Sequence, residues 1–218
     1  MKLRLQVLAI SLAASLTLSL AQEPGQSMVG AVVEAVTGEA TIQTGKAEPA
    51  PLTKGQTVRE GQTLHTGKGG LVLLRLRNKG ELILYENSRI ELKSEPRKPK
   101  EMRLLQTEGF TWSRLPKLRT SDAFLIETPA ATAGIRGTAF STRVEPGAGT
   151  QFCVCEGSVT LRSLQGVITL RQGELARAES GKPMGSPVAD LRFLKHPTRE
   201  TLQCLECHQG GHNRDGRY

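Results

Sequence analysis

Thr128-Pro129-Ala130-Ala131-Thr132-Ala133-Gly134-Ile135-Arg136-Gly137-Thr138-Ala139-Phe140 is the stretch on which the reading of this chain turns. Pro129 fixes one backbone angle and pushes Thr128 toward an extended conformation. Gly134 and Gly137 can take angles that a side chain forbids. A tight turn or crossing is therefore expected to deliver the chain into a strand starting near Thr138, with Arg136 held between the two glycines. The Gly-x-x-Gly spacing also matches loops that clamp a nucleic-acid backbone. The spacing is common by chance, however, and the flanks here are strand-like rather than helical.

Upstream of that stretch, Ala123-Phe-Leu-Ile-Glu-Thr128 reads as a strand, and Phe110-Thr-Trp-Ser-Arg-Leu115 holds the one tryptophan, Trp112, expected in core or rim packing. Met28 to Thr44 shows β-branched runs broken at Gly38, which fits two strands and a turn. A loop from Gly45 to Gly55 precedes glycines at 55, 61 and 67, a spacing that allows only short strands and sharp corners. Gly70–Arg77 and Gly80–Tyr85, separated by Asn78-Lys79, form a hairpin. Leu74 and Leu76 alternate there with Arg75 and Arg77, which predicts one buried and one wet face. Ser88–Leu92 adds a short strand and Lys93–Lys100 a surface loop. Downstream, Thr138–Glu145, Gln151–Glu156, Gly157–Arg162, Val167–Arg171 and Glu174–Ala178 are separated by turn signals. Gly181–Pro187 reads as a linker and Val188–Leu194 as a short amphipathic helix broken at His196-Pro197.

With 218 residues, 4% aromatic, 23 Gly and 11 Pro, the chain suits one turn-rich β domain and a tail rather than a helical bundle. Residues 1–21 read as a signal peptide. Lys2 and Arg4 form the basic start, Leu5–Leu20 the apolar stretch, and Ser19 and Ala21 the small residues before cleavage. The apolar stretch is short for a membrane span of about 20 residues, and no later stretch is apolar enough to provide one. The 29 basic residues, less Lys2 and Arg4, against 21 acidic leave a balance of +6. Export makes nucleic acid the poorest explanation of that balance; a solvated surface or an anionic envelope partner remains.

The chemistry-bearing text is Cys204-Leu205-Glu206-Cys207-His208. Two cysteines in this spacing, followed by His, match the attachment motif of c-type haem. The thiols form thioethers and the imidazole of His208 ligates the iron. His196, Met184 and His65 are candidates for the distal position. Alternatives from the same residues are a Cys204–Cys207 disulfide and a zinc site using His208 or His212, the latter lacking a clear fourth ligand. Cys153 and Cys155 stand on one face of a strand, with α-carbons roughly 6.5 Å apart, and are expected as small buried hydrophobes. No Ser/His/Asp or paired-carboxylate spacing supports an enzyme.

Residues 29–178 resemble a FecR-like domain. The resemblance rests on Val29–Thr44, Lys54-Gly55-Gln56 with Gly61-Gln62-Thr63-Leu64-His65-Thr66-Gly67, the Leu71–Tyr85 hairpin, Thr128-Pro129 with Ala133–Phe140, and Glu156-Gly157-Ser158-Val159. It implies an all-β fold, sandwich- or roll-like, of many short strands. It also implies a non-enzymatic sensing or interaction domain in which Gly134, Arg136 and Gly137 are structural. The family's sigma-factor regulators carry a cytoplasmic helical segment and a membrane span, and this chain departs from that plan. The expectation is thus a signal peptide (1–21), a β domain (28–180), and a linker with a partly helical tail (181–218). The protein is expected to be periplasmic or secreted, with haem c as its cofactor, no stable membrane span after cleavage, and an unidentified periplasmic protein or redox partner.

Overall fold

The computed structural model describes residues 30–77, 80–94, 101–117 and 123–189. Among these the regular structure is entirely β. The first strands are β1 (Gly30–Thr37), β2 (Ala40–Thr44), β3 (Ala50–Pro51), β4 (Thr57–Arg59), β5 (Gln62–Thr66), β6 (Leu71–Leu76), β7 (Glu81–Leu84) and β8 (Arg89–Ser94). They are followed by β9 (Glu101–Arg114), β10 (Ala123–Glu127), β11 (Thr132–Ile135), β12 (Ala139–Glu145), β13 (Gly149–Glu156), β14 (Ser158–Ser163), β15 (Gly166–Arg171) and β16 (Leu175–Ala178). The all-β class is as the sequence predicts. Asn78-Lys79 lie outside the described residues.

Two sheets result. The first runs β4-β1-β6-β7-β9-β12-β13-β16. The second runs β3-β2-β5-β8-β9-β10-β11-β14-β15. Alternate residues of each strand turn inward. Val72, Leu74, Leu82, Leu84, Phe140, Phe152 and Val154 of the first sheet meet Leu64, Ile90, Leu92, Leu104, Phe124, Ile126 and Leu161 of the second in one buried cluster. Each such aliphatic or aromatic side chain contributes on the order of 1.5–3 kcal/mol of burial.

One strand belongs to both sheets. The first half of β9 pairs with β8 and, in parallel, with β10; its second half pairs with β7 and β12. The register with β8 skips Thr107, and Gly109, at φ +85°, follows that bulge; a Cβ there would run into Ser88. Met102 and Leu104 point into the core before it, whereas Phe110 and Trp112 point away from the core after it. The Gln106 side chain, fully buried, fastens the bend. Its amide donates to Gly109 O (3.0 Å) and Thr142 O (3.2 Å), and its carbonyl accepts from the Thr111 hydroxyl (2.9 Å).

Three expectations change. The strand carrying Trp112 begins at Glu101, not near Phe110. β8 continues through Ser94, into what reads as loop. The face of β6 opposite the core is not simply wet. Leu71 and Leu73 pack beside Ile83, Tyr85, Phe110 and Trp112, and Arg75 is tied to Glu34 (2.8 Å) and Glu81 (2.7 Å). The hydrogen bond to Glu34 raises the Arg75 pKa, against the burial that disfavours its charge, and the two carboxylate charges raise it further.

Candidate functional site

Thr128 closes the turn that Pro129 opens. The Thr128 N–H donates to Ala131 O (3.0 Å), and its hydroxyl accepts from the Ala131 N–H (3.2 Å). The chain is in strand again at Thr132, six residues before the position expected from sequence, because Thr132–Ile135 fit between β10 and β14. Gly134 is therefore a strand residue rather than a turn residue, and its φ is not positive. Gly137 is the true corner, at φ +66°, where an added Cβ would sit 3.0 Å from Lys117 Cα. Arg136 is exposed beside it. The flanks of this Gly-x-x-Gly are strands, unlike the helical setting of a nucleic-acid clamp.

The two most distinctive sequence blocks meet at this corner. The Thr138 hydroxyl donates to Ser158 O (2.9 Å), and Thr138 O accepts from Leu115 N–H (3.0 Å). Gly157, at φ +81°, lies so close that a Cβ would be 2.8 Å from Gly137 O. Residues twenty positions apart thus lock one joint of the scaffold, a geometric role rather than a chemical one.

Beside the Thr128 turn, three loops enclose a cleft of about 240 Å³ lined by Pro129, Val144, Gly147, Thr150, Glu179 and Lys182 among others. Thr150 and Thr128 hydroxyls join at 3.1 Å beneath it. Lys182 pairs with Glu179 at 2.6 Å, and its hydrogen bond and charge hold the Glu179 carboxyl below the usual glutamate range. Glu145 pairs with Arg177 at 3.1 Å. The rim charges offset one another, and no thiol or imidazole lines the cleft. Its loops are remote in sequence, so no local pattern announces it. The nearest text, Gly181–Pro187, reads as linker, yet Gly185 N–H donates to Arg177 O and Val188 bridges Leu175.

On the outer side of the first sheet, Trp112 is fully buried among Ile83, Tyr85, Phe110, Ala139 and Cys155, in the packing role expected of it. Arg114 lies over its ring at 5.2 Å, and Arg143 over Phe110 at 4.8 Å. Cys153 and Cys155 are buried thiols, as expected. Of the residues singled out for haem, Met184 is half-buried against the inter-sheet core, and His65 stands in β5 between Thr41 and Arg89. Cys204, Cys207, His208, His196 and His212 lie outside the described residues, as does the stretch 1–21 that reads as a signal peptide.

Residues 62–160, which run from β5 into β14 and include both blocks of the corner, match the family model described as FecR protein. That region is similar to the FecR family. Two crystal structures from Parabacteroides distasonis, each of a putative anti-sigma factor, share the fold. One aligns at TM-score 0.53 and 13% identity over 68% of this chain and 74% of that one. The other aligns at TM-score 0.50 and 14% identity over 58% of this chain, which spans 57% of its length. No curated protein matches the chain. The matched region contains the Gly137–Ser158 joint and most of both sheets.

Proposed function

We propose that this protein is an exported, non-enzymatic FecR-like domain of the bacterial envelope that senses or relays through protein contact and carries one covalent haem c on its C-terminal segment. The observation that carries the interaction half is the FecR-like match over β5–β14, whose distinctive residues build a rigid joint rather than a reaction centre. The signal-peptide pattern at 1–21 supports export. Among the described residues no helix is long and apolar enough to cross a membrane.

The haem half rests on the donor set in the sequence. Cys204 and Cys207 supply two thiols at the required spacing and His208 an adjacent imidazole, which fits covalent attachment and one axial bond. When bound, the group supplies a one-electron redox centre. His196 and Met184 are the distal candidates; Met184 would have to leave its packing against the core to serve.

Expression with a c-type maturation system, followed by a reducing denaturing gel stained for haem peroxidase activity, tests this reading. The mature chain is expected to stain, and Cys204→Ser with Cys207→Ser to abolish the stain. An unstained chain, or a stain that survives both substitutions, rejects covalent attachment and leaves an envelope interaction domain.

A further inference from the structure

The four outer edges of the two sheets are not alike. β3 is two residues long and ends in Pro51, and β4 is three residues long. Both offer too little backbone to template another strand. β16 is covered by the returning chain, where Val188 exchanges hydrogen bonds with Leu175 at 2.9 Å each. β15 is six residues long, with no proline, no lysine and no irregularity in its register with β14. Among the described residues no proline, lysine or bulge blunts this edge.

The direction of its free groups follows from the hairpin. Leu164-Gln165 close it at the pair Ser163 and Gly166, which exchange both bonds, and narrow and wide pairs then alternate. Ile168 and Leu170 therefore bond to β14, while Val167 and Thr169 turn N–H and C=O outward. Arg171 also faces outward, but its N–H and carbonyl are taken by Glu174 at 2.8 Å and 3.0 Å. Four backbone groups, two donors and two acceptors, remain open among the described residues.

Side chains at this edge point to the kind of strand it accepts. Of the large hydrophobics exposed among the described residues, Leu164 (98%) and Val167 (54%) both belong to this hairpin. Ile168 is only partly covered where the core reaches the edge. Arg162 and Arg171 are exposed on the outer face, and residues 157–173 contain no Asp or Glu.

We propose that β15 is a docking edge for an extended segment of a partner protein in which acidic and apolar residues alternate. The backbone of that segment would bond to Val167 and Thr169. Its apolar side chains would continue the core past Ile168, and its carboxylates would lie over Arg162 and Arg171. The proposal deepens the interaction-domain reading and does not involve the haem. A chain that stains for haem but ignores such a segment rejects the edge alone; one that binds it without haem rejects the cofactor alone.

Labelled hexapeptides alternating Glu with Val, and Lys with Val, provide the probes against the full mature chain. The acidic peptide is expected to bind at least tenfold more tightly than the basic one. Val167→Pro, which removes one outward N–H and leaves the β14 ladder intact, is expected to weaken binding at least tenfold. Arg162→Glu with Arg171→Glu is expected to reverse the charge preference. Should Val167→Pro fold poorly, amide hydrogen exchange on the unaltered chain decides, with Val167 and Thr169 gaining protection on saturation. Equal affinity for both peptides, protection gained elsewhere, or edge amides already protected in the peptide-free chain would overturn the proposal. Self-association abolished by Val167→Pro would also overturn it, in favour of a second copy as occupant.

Discussion

Gly134 and Gly137 look equivalent in the sequence, three residues apart in one motif, but their backbones differ. Gly137 occupies the left-handed region with Lys117 packed against the place a Cβ would take. Gly137→Ala is expected to destabilise by about 1–2 kcal/mol, the left-handed penalty with little room to relax. Gly134 has no positive φ, and a Cβ there would meet Leu125 Cδ2 and Thr160 O at an ordinary 3.7 Å. Gly134→Ala is expected to be neutral within about 0.5 kcal/mol or slightly stabilising. Urea unfolding of the two variants separates the roles. The motif was legible as a corner in the sequence; which glycine made the corner depended on β11 slotting between β10 and β14, a long-range fact. Glu179 offers a pH check at this scale. Its folded pKa is lowered by Lys182, so the contact contributes fully above the unfolded glutamate value and is lost as pH falls through the depressed folded one. An NMR titration of its carboxyl is expected to show a midpoint below that of an ordinary glutamate; a midpoint at or above it contradicts the ion pair.

β9 is the element whose sequence hid most. Phe110 and Trp112 mark its second half, but the first half interleaves Met102 and Leu104 with charged neighbours, and the extra residue Thr107 between Gln106 and Glu108 shifts the inward parity between them. A period-2 reading fails at such a bulge, and the parallel pairing with β10 has no local signature at all. The hairpins β6–β7 and β12–β13 were legible because turn residues and alternation agree over a few neighbours. Two substitutions test the bend. Gly109→Ala places a methyl group against Ser88 and is expected to cost several kcal/mol, of the order seen for overpacking plus backbone strain, about 3 kcal/mol. Gln106→Leu would leave the Thr111 hydroxyl and the Gly109 and Thr142 carbonyls short of a buried partner, at about 2–3 kcal/mol. Arg75→Met, by contrast, removes pairs that are 41% exposed on the arginine side and is expected to cost under about 1 kcal/mol. Denaturant midpoints for the three variants, ranked in that order, check the argument; an Arg75 variant weaker than the Gln106 one would contradict it.

For the molecule as a whole, the shared strand and the single inter-sheet cluster predict one unfolding event. Thermal melts followed by far-ultraviolet dichroism and by Trp112 fluorescence are expected to coincide, since Trp112 sits on the second half of β9 and much of the dichroism comes from both sheets. Separated midpoints would mean that the sheets unfold independently. The overall class was legible from composition and turn spacing, and the family corner from its motif. The cleft beside Thr128 and the asymmetry of the sheet edges were not, because each depends on which distant segment happens to lie alongside.

Gly109 also has a mechanical meaning. Because β9 carries a hydrogen-bond ladder on each side of its bend, a pull that parts the two sheets loads both ladders of one segment at once. Stretched between β1 of the first sheet and β15 of the second, the domain would hold as a single clasp and release in a single rupture, with no half-open length between closed and extended.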